Sequence, residues 1–196
     1  MLKTKNISIR PHRRGDEILL NNAVQNSFKE LHHWMDWARD PQTMDETLAY
    51  IEHTQKCWAS ESPDELPMLI LDREEKILLG SSGYHTINWD IPMLEIGYWV
   101  NSDFARKGYI TEATNVLTQF AFSFQHAKRI EIRCDSENTK SISIPKKLGF
   151  EIEAHFKNHR IQPATNRLSG TLVFVRYDAI GMPEIEYKIE ELVLTS

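Results

Sequence analysis

The sequence predicts a mixed α/β (α+β) domain built on one sheet. Three observations carry this reading. Three apolar runs separated by short polar turns lie between Met68 and Val100, and an amphipathic helix runs from Ala113 to Phe124. Strands and helices also mix without strict alternation.

The elements follow in chain order. Ile7 and Ile9 alternate with Ser8 and Arg10, which predicts a first strand ending at Pro11. Asp16 is placed to cap a helix over about residues 17–30. A polar, tryptophan-rich stretch, Leu31 to Asp40, comes next. Thr43-Met44-Asp45-Glu46 has capping-box spacing and predicts a helix to about Ser60, with Leu48, Ile51, Gln55 and Trp58 on one face. Met68–Leu71, Ile77–Thr86 and Met93–Val100 read as a meander, turning at Asp72–Lys76 and at Trp89-Asp90-Ile91-Pro92. Ala113, Val116, Leu117, Phe120, Ala121 and Phe124 fall at spacings of three and four, one helical face. Lys128–Cys134 is a further strand with Ile130 and Ile132 on one side; a short helix precedes Gly149, and Phe150–Phe156 and Thr171–Tyr177 end the pattern.

Composition bounds the function. Hydrophobic residues make up 41% and charged residues 26% of 196, ordinary values that exclude a disordered chain and fit one domain. A net charge of −5 argues against nucleic acid as the main partner. It suits a cationic acceptor as well as simple solubility. Two distant cysteines, Cys57 and Cys134, form neither a disulfide framework nor a zinc spacing. The charged start lacks the apolar run of a signal peptide, and no stretch is long and apolar enough to span a bilayer. The expectation is a reducing, cytoplasmic location.

One segment carries ligand chemistry. Ala105-Arg106-Lys107-Gly108-Tyr109-Ile110 is a short cationic loop between a strand and the long helix. Amides at a helix N-terminus lack partners and face outward, the helix dipole adds positive charge, and glycine permits close backbone approach. Such a place binds phosphate.

The string Leu94-Glu95-Ile96-Gly97-Tyr98-Trp99-Val100, followed by Gly108-Tyr109-Ile110-Thr111-Glu112-Ala113, resembles the acetyl-CoA-binding motif of the GNAT superfamily of N-acetyltransferases. Its form is typical of the RimJ/RimL branch, the ribosomal-protein N-terminal acetyltransferases. The resemblance implies a mostly antiparallel sheet of about seven strands, splayed between the fourth and fifth, with helices on both faces. It implies acetyl-CoA as co-substrate, with its pyrophosphate at Arg106, Lys107, Gly108, Tyr109 and Ile110 and its pantetheine arm beside Trp99 and Val100. Ala105 and Ile110 depart from the family's loop consensus, and Ile110 adds bulk expected to set the loop slightly back from the phosphates.

A second string, Asn138-Thr139-Lys140-Ser141 leading to Leu148-Gly149-Phe150, is similar to the family's N-x-x-S…L-G-F element. Asn138 is a natural N-cap, and the resemblance adds a contact to pantetheine. Ser141 is implied as donor of a proton to the leaving thiolate. Pro145 stands inside this helix, where a kink or distorted first turn is expected. It also stands near the point where many GNAT enzymes keep a tyrosine as general acid.

His32-His33-Trp34-Met35-Asp36-Trp37 resembles the branch's acceptor-side stretch, with Trp34 and Trp37 walling a channel and Asp36 holding an ammonium. The adjacent histidines point apart on a helix and no HExxH spacing exists, so no metal is expected. The branch often places a catalytic glutamate after the L-G-F strand, yet no carboxylate lies between Glu153 and Asp178. Glu95, His155, His159, Asp36 and a water relay stay open as the base. Covalent transfer through Cys134 is less favoured than direct attack in a ternary complex.

The resemblance covers residues 7–178, which sets the expected boundaries: one acetyltransferase domain over 1–178 and an acidic C-terminal extension over 179–196. The acceptor is expected to be a protein N-terminus. A small amine (antibiotic, polyamine or amino-sugar) and a catalytically weak acyl-CoA-binding module are the alternatives. No nucleic-acid or membrane partner is expected, and a homodimer stays open.

Overall fold

A computed structural model of the chain describes residues 1–190. Residues 191–196, the end of the expected acidic extension, lie outside the described residues. Nine strands form one sheet: β1 (Leu2–Lys3), β2 (Ile7–Arg10), β3 (Leu66–Asp72), β4 (Leu78–Asn88), β5 (Met93–Val100), β6 (Arg129–Asp135), β7 (Glu151–Ile161), β8 (Leu168–Arg176) and β9 (Lys188–Ile189). Four α-helices accompany them: α1 (Glu17–Trp34), α2 (Met44–Ala59), α3 (Tyr109–Phe124) and α4 (Thr139–Lys147). The sheet order is β7-β8-β6-β5-β4-β3-β2-β1-β9. The seven expected strands are all present, and the two-residue strands β1 and β9 are added at one edge.

Among the described residues, every strand pair is antiparallel except β5 and β6, which pair parallel over Met93–Glu95 and Arg129–Glu131 and then separate. That separation is the splay expected between the fourth and fifth strands. Alternation along β5 divides the core. Leu94 and Ile96 pack with α3 residues Ala113, Val116 and Leu117 on one face. Trp99 packs with the α1 and α2 residues Leu20, Val24 and Ile51 on the other. Helices therefore cover both faces, which lets the central strands be apolar on both sides.

Several local expectations shift. Asp16 precedes α1 but makes no side-chain cap bond. Its carboxylate instead accepts two hydrogen bonds from Arg10, at 2.7 and 2.8 Å, because a buried guanidinium needs a bidentate partner more than a helix end needs a cap. Helix α1 runs to Trp34, so part of the tryptophan-rich stretch is helical. The Thr43–Glu46 capping box forms, with the Thr43 hydroxyl accepting from the Glu46 amide at 3.2 Å. The buried face of α2 is Thr47, Ile51, Thr54 and Cys57, which leaves Leu48 exposed. Phe124, at the end of α3, is exposed as well.

The segment after β8 lies along the domain over its described part. Met182 is buried in the core, the Asn115 amide donates to the Pro183 carbonyl at 2.9 Å, and β9 pairs with β1. Among the described residues, no helix is long and apolar enough to cross a membrane.

Candidate active site

Where β5 leaves β6, the sheet opens, and two cavities meet in the gap. One, about 420 Å³, is lined by Tyr98, Trp99 and Val100 of β5, by the loop and first turn before α3, and by one face of α4. The other, about 530 Å³, lies between β4, β5 and β6 and the helices α1 and α2. Trp34, Met35, Tyr98, Trp99, Asn138 and Ser141 belong to both walls.

The smaller cavity has the features of an anion site. Gly108 is the N-cap of α3 at φ 87°, a left-handed conformation that favours glycine, and a Cβ there would meet nothing within 4 Å. Among the described residues, no group accepts a hydrogen bond from the amides of residues 106–111, while Glu112 begins the helical ladder by donating to the Gly108 carbonyl at 2.9 Å. Arg106, Gly108, Tyr109 and Ile110 line the space. The Ile110 side chain is buried, and its Cδ1 would lie 2.9 Å from a Cβ at Gly80. Its bulk therefore points into the core and does not hold the loop back from an anion, contrary to the expectation. Lys107 is outside the lining, with its ammonium 4.8 Å from the centre of the Phe104 ring. Lys147 of α4 adds positive charge to the wall, and Lys140 beside it pairs with Glu30 of α1 at 3.0 Å. Sequence reasoning missed both, although 140, 143, 144 and 147 are a one-face helical spacing. Free amides, an open glycine and cationic side chains fit a pyrophosphate.

Asn138 caps α4, its Oδ1 accepting from the Ser141 amide at 3.0 Å. The Ser141 hydroxyl donates to the Tyr98 oxygen at 3.2 Å, and the Tyr98 hydroxyl donates to the Ser141 carbonyl at 3.1 Å. Helix α4 runs unbroken across Pro145, so the expected kink takes the milder form of one missing amide. Cys134 lines the larger cavity, where burial pushes its thiol up to about 11.

The larger cavity is walled by Trp34, Trp37 and Trp99, with the Trp37 and Trp99 rings 6.4 Å apart. Asp36 lies outside both linings; its carboxylate is 3.3 Å from Arg160. Glu95 is outside them too. Burial pushes its carboxyl up, while Arg133 at 3.6 Å opposes that shift. His159 sits 3.1 Å from the Thr171 hydroxyl, and the His155 ring lies against Gly170.

Among the polar residues that line the larger cavity and that sequence reasoning missed are Glu65, just before β3, and His85 of β4. Glu65 Oε2 is 3.4 Å from His85 Nδ1, and Glu65 Oε1 is 2.5 Å from Nε2 of His53 on α2. Burial pushes the Glu65 carboxyl up, but hydrogen bonds to the two histidines outweigh it and hold the group below its ordinary value. Cys57 joins the cluster, its sulfur 3.5 Å from His53, so ligand-type atoms of His53, Cys57 and Glu65 lie within 4.8 Å of one another. No spacing rule flags residues 20 apart, one just before β3 and the other in β4, so the sequence carried no signal for the pair.

The family description "Acetyltransferase (GNAT) domain" matches residues 6–151. The uncharacterised N-acetyltransferase p20 of Bacillus licheniformis is 29% identical over 105 residues, 54% of this chain and 58% of that protein. The chain thus spans little more than half the length of this relative. YdaF of Bacillus subtilis (strain 168), named as a candidate ribosomal N-acetyltransferase, is 27% identical over 150 residues, 74% of this chain and 78% of that protein. Among solved structures, RimL, a ribosomal L7/L12 α-N-protein acetyltransferase in complex with coenzyme A, aligns with a TM-score of 0.82 at 16% identity, covering 90% of this chain and 96% of that one. At that identity the likeness is one of fold.

Proposed function

The chain belongs to the acetyltransferase (GNAT) domain family, and from that premise we propose that it transfers an acetyl group from acetyl-CoA to the N-terminal α-amino group of a protein. The observation that carries this reading is the meeting of two cavities at Tyr98, Trp99 and Ser141, one suited to an anion and the other large enough for a peptide end.

The free amides of residues 106–111, with Arg106, hold the pyrophosphate at the N-terminus of α3. The edge of β5 from Ile96 to Val100, which has no partner in β6, offers backbone groups to the pantetheine arm as an added strand would. Acetyl-CoA supplies the activated acyl group as a thioester. Trp34, Trp37 and Trp99 grip the first side chains of the acceptor and exclude water. Ser141 gives its proton to the leaving sulfur, and the residues at the junction hold amine and thioester in reacting distance. The work is done in the reducing cytoplasm.

The names of RimL and YdaF support a protein acceptor. Acid–base chemistry supports the α-amine over lysine. The pKa of an α-amino group is about 7.7–8.0 against about 10.4 for lysine, so at pH 7.5 lysine is several hundredfold poorer in the neutral form. The test compares kcat/KM for a lysine-free peptide with a free N-terminus against its N-blocked, lysine-containing counterpart. At least tenfold better use of the first is expected; equal or better use of the lysine peptide refutes the acceptor assignment.

A further inference from the structure

We propose that His85 is the base that takes a proton from the acceptor's ammonium group, with Glu65 as its positioning residue and His53 as the route to solvent. The proposal deepens the reading of the site as an amine acetyltransferase and rests on it.

Position is the first argument. An ideal Cβ at Gly97 would lie 2.9 Å from His85 Cδ2 and 3.0 Å from His85 Nε2. The imidazole edge therefore lies over the Gly97 backbone, where β5 has parted from β6 and the two cavities begin to merge. A side chain at 97 would displace the ring, which gives the glycine in Glu95-Ile96-Gly97-Tyr98-Trp99 a role beyond the pantetheine arm. Tyr98 and Trp99, the next two residues, line both cavities.

Orientation is the second. Glu65 Oε2 lies 3.4 Å from Nδ1 of His85, so the carboxylate favours the tautomer with the proton on Nδ1 and leaves the Nε2 lone pair toward the cavity. The other Glu65 oxygen is 2.5 Å from His53 Nε2, and the His53 side chain is 57% exposed. A proton taken by His85 thus has a path through Glu65 and His53 to bulk water.

The other candidates are committed elsewhere. Glu95 faces Arg133, Asp36 faces Arg160, His159 faces Thr171, and His155 lies against Gly170; none of the four lines either cavity. The titratable and charged groups around His85 are Glu65, its cross-strand partner Glu95 on β5, Arg133 beside Glu95, and Tyr50, His53 and Cys57 of α2.

The proton balance is simple. His85 Nε2 takes one proton from the bound ammonium, directly or through one water, and leaves a neutral amine. Its nitrogen pair forms the new N–C bond as the C–S bond breaks. The sulfur leaves with the bonding pair and takes the Ser141 hydroxyl proton to become a thiol, and the second proton that the nitrogen sheds as it becomes an amide restores the Ser141 hydroxyl.

The test uses the full chain with a free-N-terminus peptide as acceptor and follows kcat against pH at saturating peptide. In the wild type kcat should fall toward acid. In His85→Gln the acid limb should move up to the pKa of the acceptor's own ammonium, about 7.7–8.0, so that kcat at pH 6 drops at least 30-fold while acetyl-CoA affinity by calorimetry changes less than twofold. An acceptor amine of low basicity, already neutral at pH 6, should recover at least half of the lost rate, a rescue that a merely structural role would not give. Glu65→Gln should lower kcat in the same direction with KM for the peptide nearly unchanged, and it serves as the readout if His85→Gln fails to fold. Full kcat with an unaltered pH profile in His85→Gln, or in Glu65→Gln where only that variant folds, overturns the base assignment alone. A wild type that binds acetyl-CoA but acetylates no amine overturns the functional reading itself.

Discussion

The Tyr98 hydroxyl donates to the Ser141 carbonyl at 3.1 Å, at the place in α4 where residue 145 would normally donate its amide. Pro145 has no amide, so the carbonyl one turn earlier is left without its helical partner. Tyr98, reaching across from β5, fills the vacancy and in return accepts from the Ser141 hydroxyl at 3.2 Å. The proline thus ties the second motif helix to the strand on which the cofactor arm is expected to lie.

This coupling is measurable. Tyr98→Phe should destabilise the fold by about 1–3 kcal/mol, because it orphans a half-buried carbonyl. In a Pro145→Ala background the helix can satisfy that carbonyl itself, so the same change should cost about 1 kcal/mol less. Denaturant unfolding of the four proteins gives the double-mutant cycle, and strict additivity would show that the two sites are independent.

The anion site predicts a binding defect. Gly108 sits at φ 87° with open space where a side chain would project, and a β-branched residue there is strained and intrudes on the ligand. Gly108→Val should weaken acetyl-CoA binding at least tenfold by calorimetry; unchanged affinity would remove the pyrophosphate from this loop.

Ser141→Ala separates chemistry from binding. Its amide and the Asn138 cap survive the substitution, so acetyl-CoA affinity should hold while kcat falls. An unchanged kcat, under conditions where chemistry limits the rate, assigns the proton donation elsewhere.

Direct attack predicts that Cys134 is dispensable. With its thiol pushed up to about 11, only on the order of one molecule in three thousand carries the thiolate at pH 7.5. Cys134→Ala should keep at least half of wild-type kcat, and no acetylated enzyme should be seen by mass spectrometry after mixing with acetyl-CoA alone. Loss of activity together with an acetylated wild-type peptide containing residue 134 would establish a covalent route.

His12 predicts an acid-side loss of stability outside the site. Its ring is buried, lies edge-on to Tyr50 at 5.4 Å, and neither nitrogen has a partner among the described residues. Burial lowers its pKa from 6.5 to about 4. The fold keeps it neutral where the unfolded chain takes up a proton, so its contribution is complete above 6.5 and lost as pH falls from 6.5 toward 4. Between pH 7 and pH 5 the loss is about 2 kcal/mol. His12→Phe, which keeps the ring contact, should flatten that part of the curve of stability against pH; an unchanged slope would place the titration elsewhere.

Much of this protein was legible in one dimension. The strand and helix order follows from apolar periods of two and of three to four. The start of α2 follows from Thr43 and Glu46, three residues apart. The open amides before α3 follow from a glycine at the start of a helix. Each of these depends on neighbours within one or two turns, so local spacing determined them. The second motif was legible for the same reason, Asn138 and Ser141 being one helical turn apart.

What the tertiary structure decided depends on groups distant along the chain. Asp16 looks like a cap until the sheet brings Arg10 against it. Leu48 looks like a core residue until the packing of α2 on β3 chooses the face that holds Ile51 and Cys57. Ile110 looks like an obstruction at the phosphate loop until its side chain is found beside Gly80. Glu65 and His85 meet because β3 and β4 pair with Leu66 opposite Tyr84, which sets the two flanking residues side by side at the cavity. A register between strands is fixed by which faces are buried, a property of the whole sheet, so the acid–base groups became visible when the sheet was assembled.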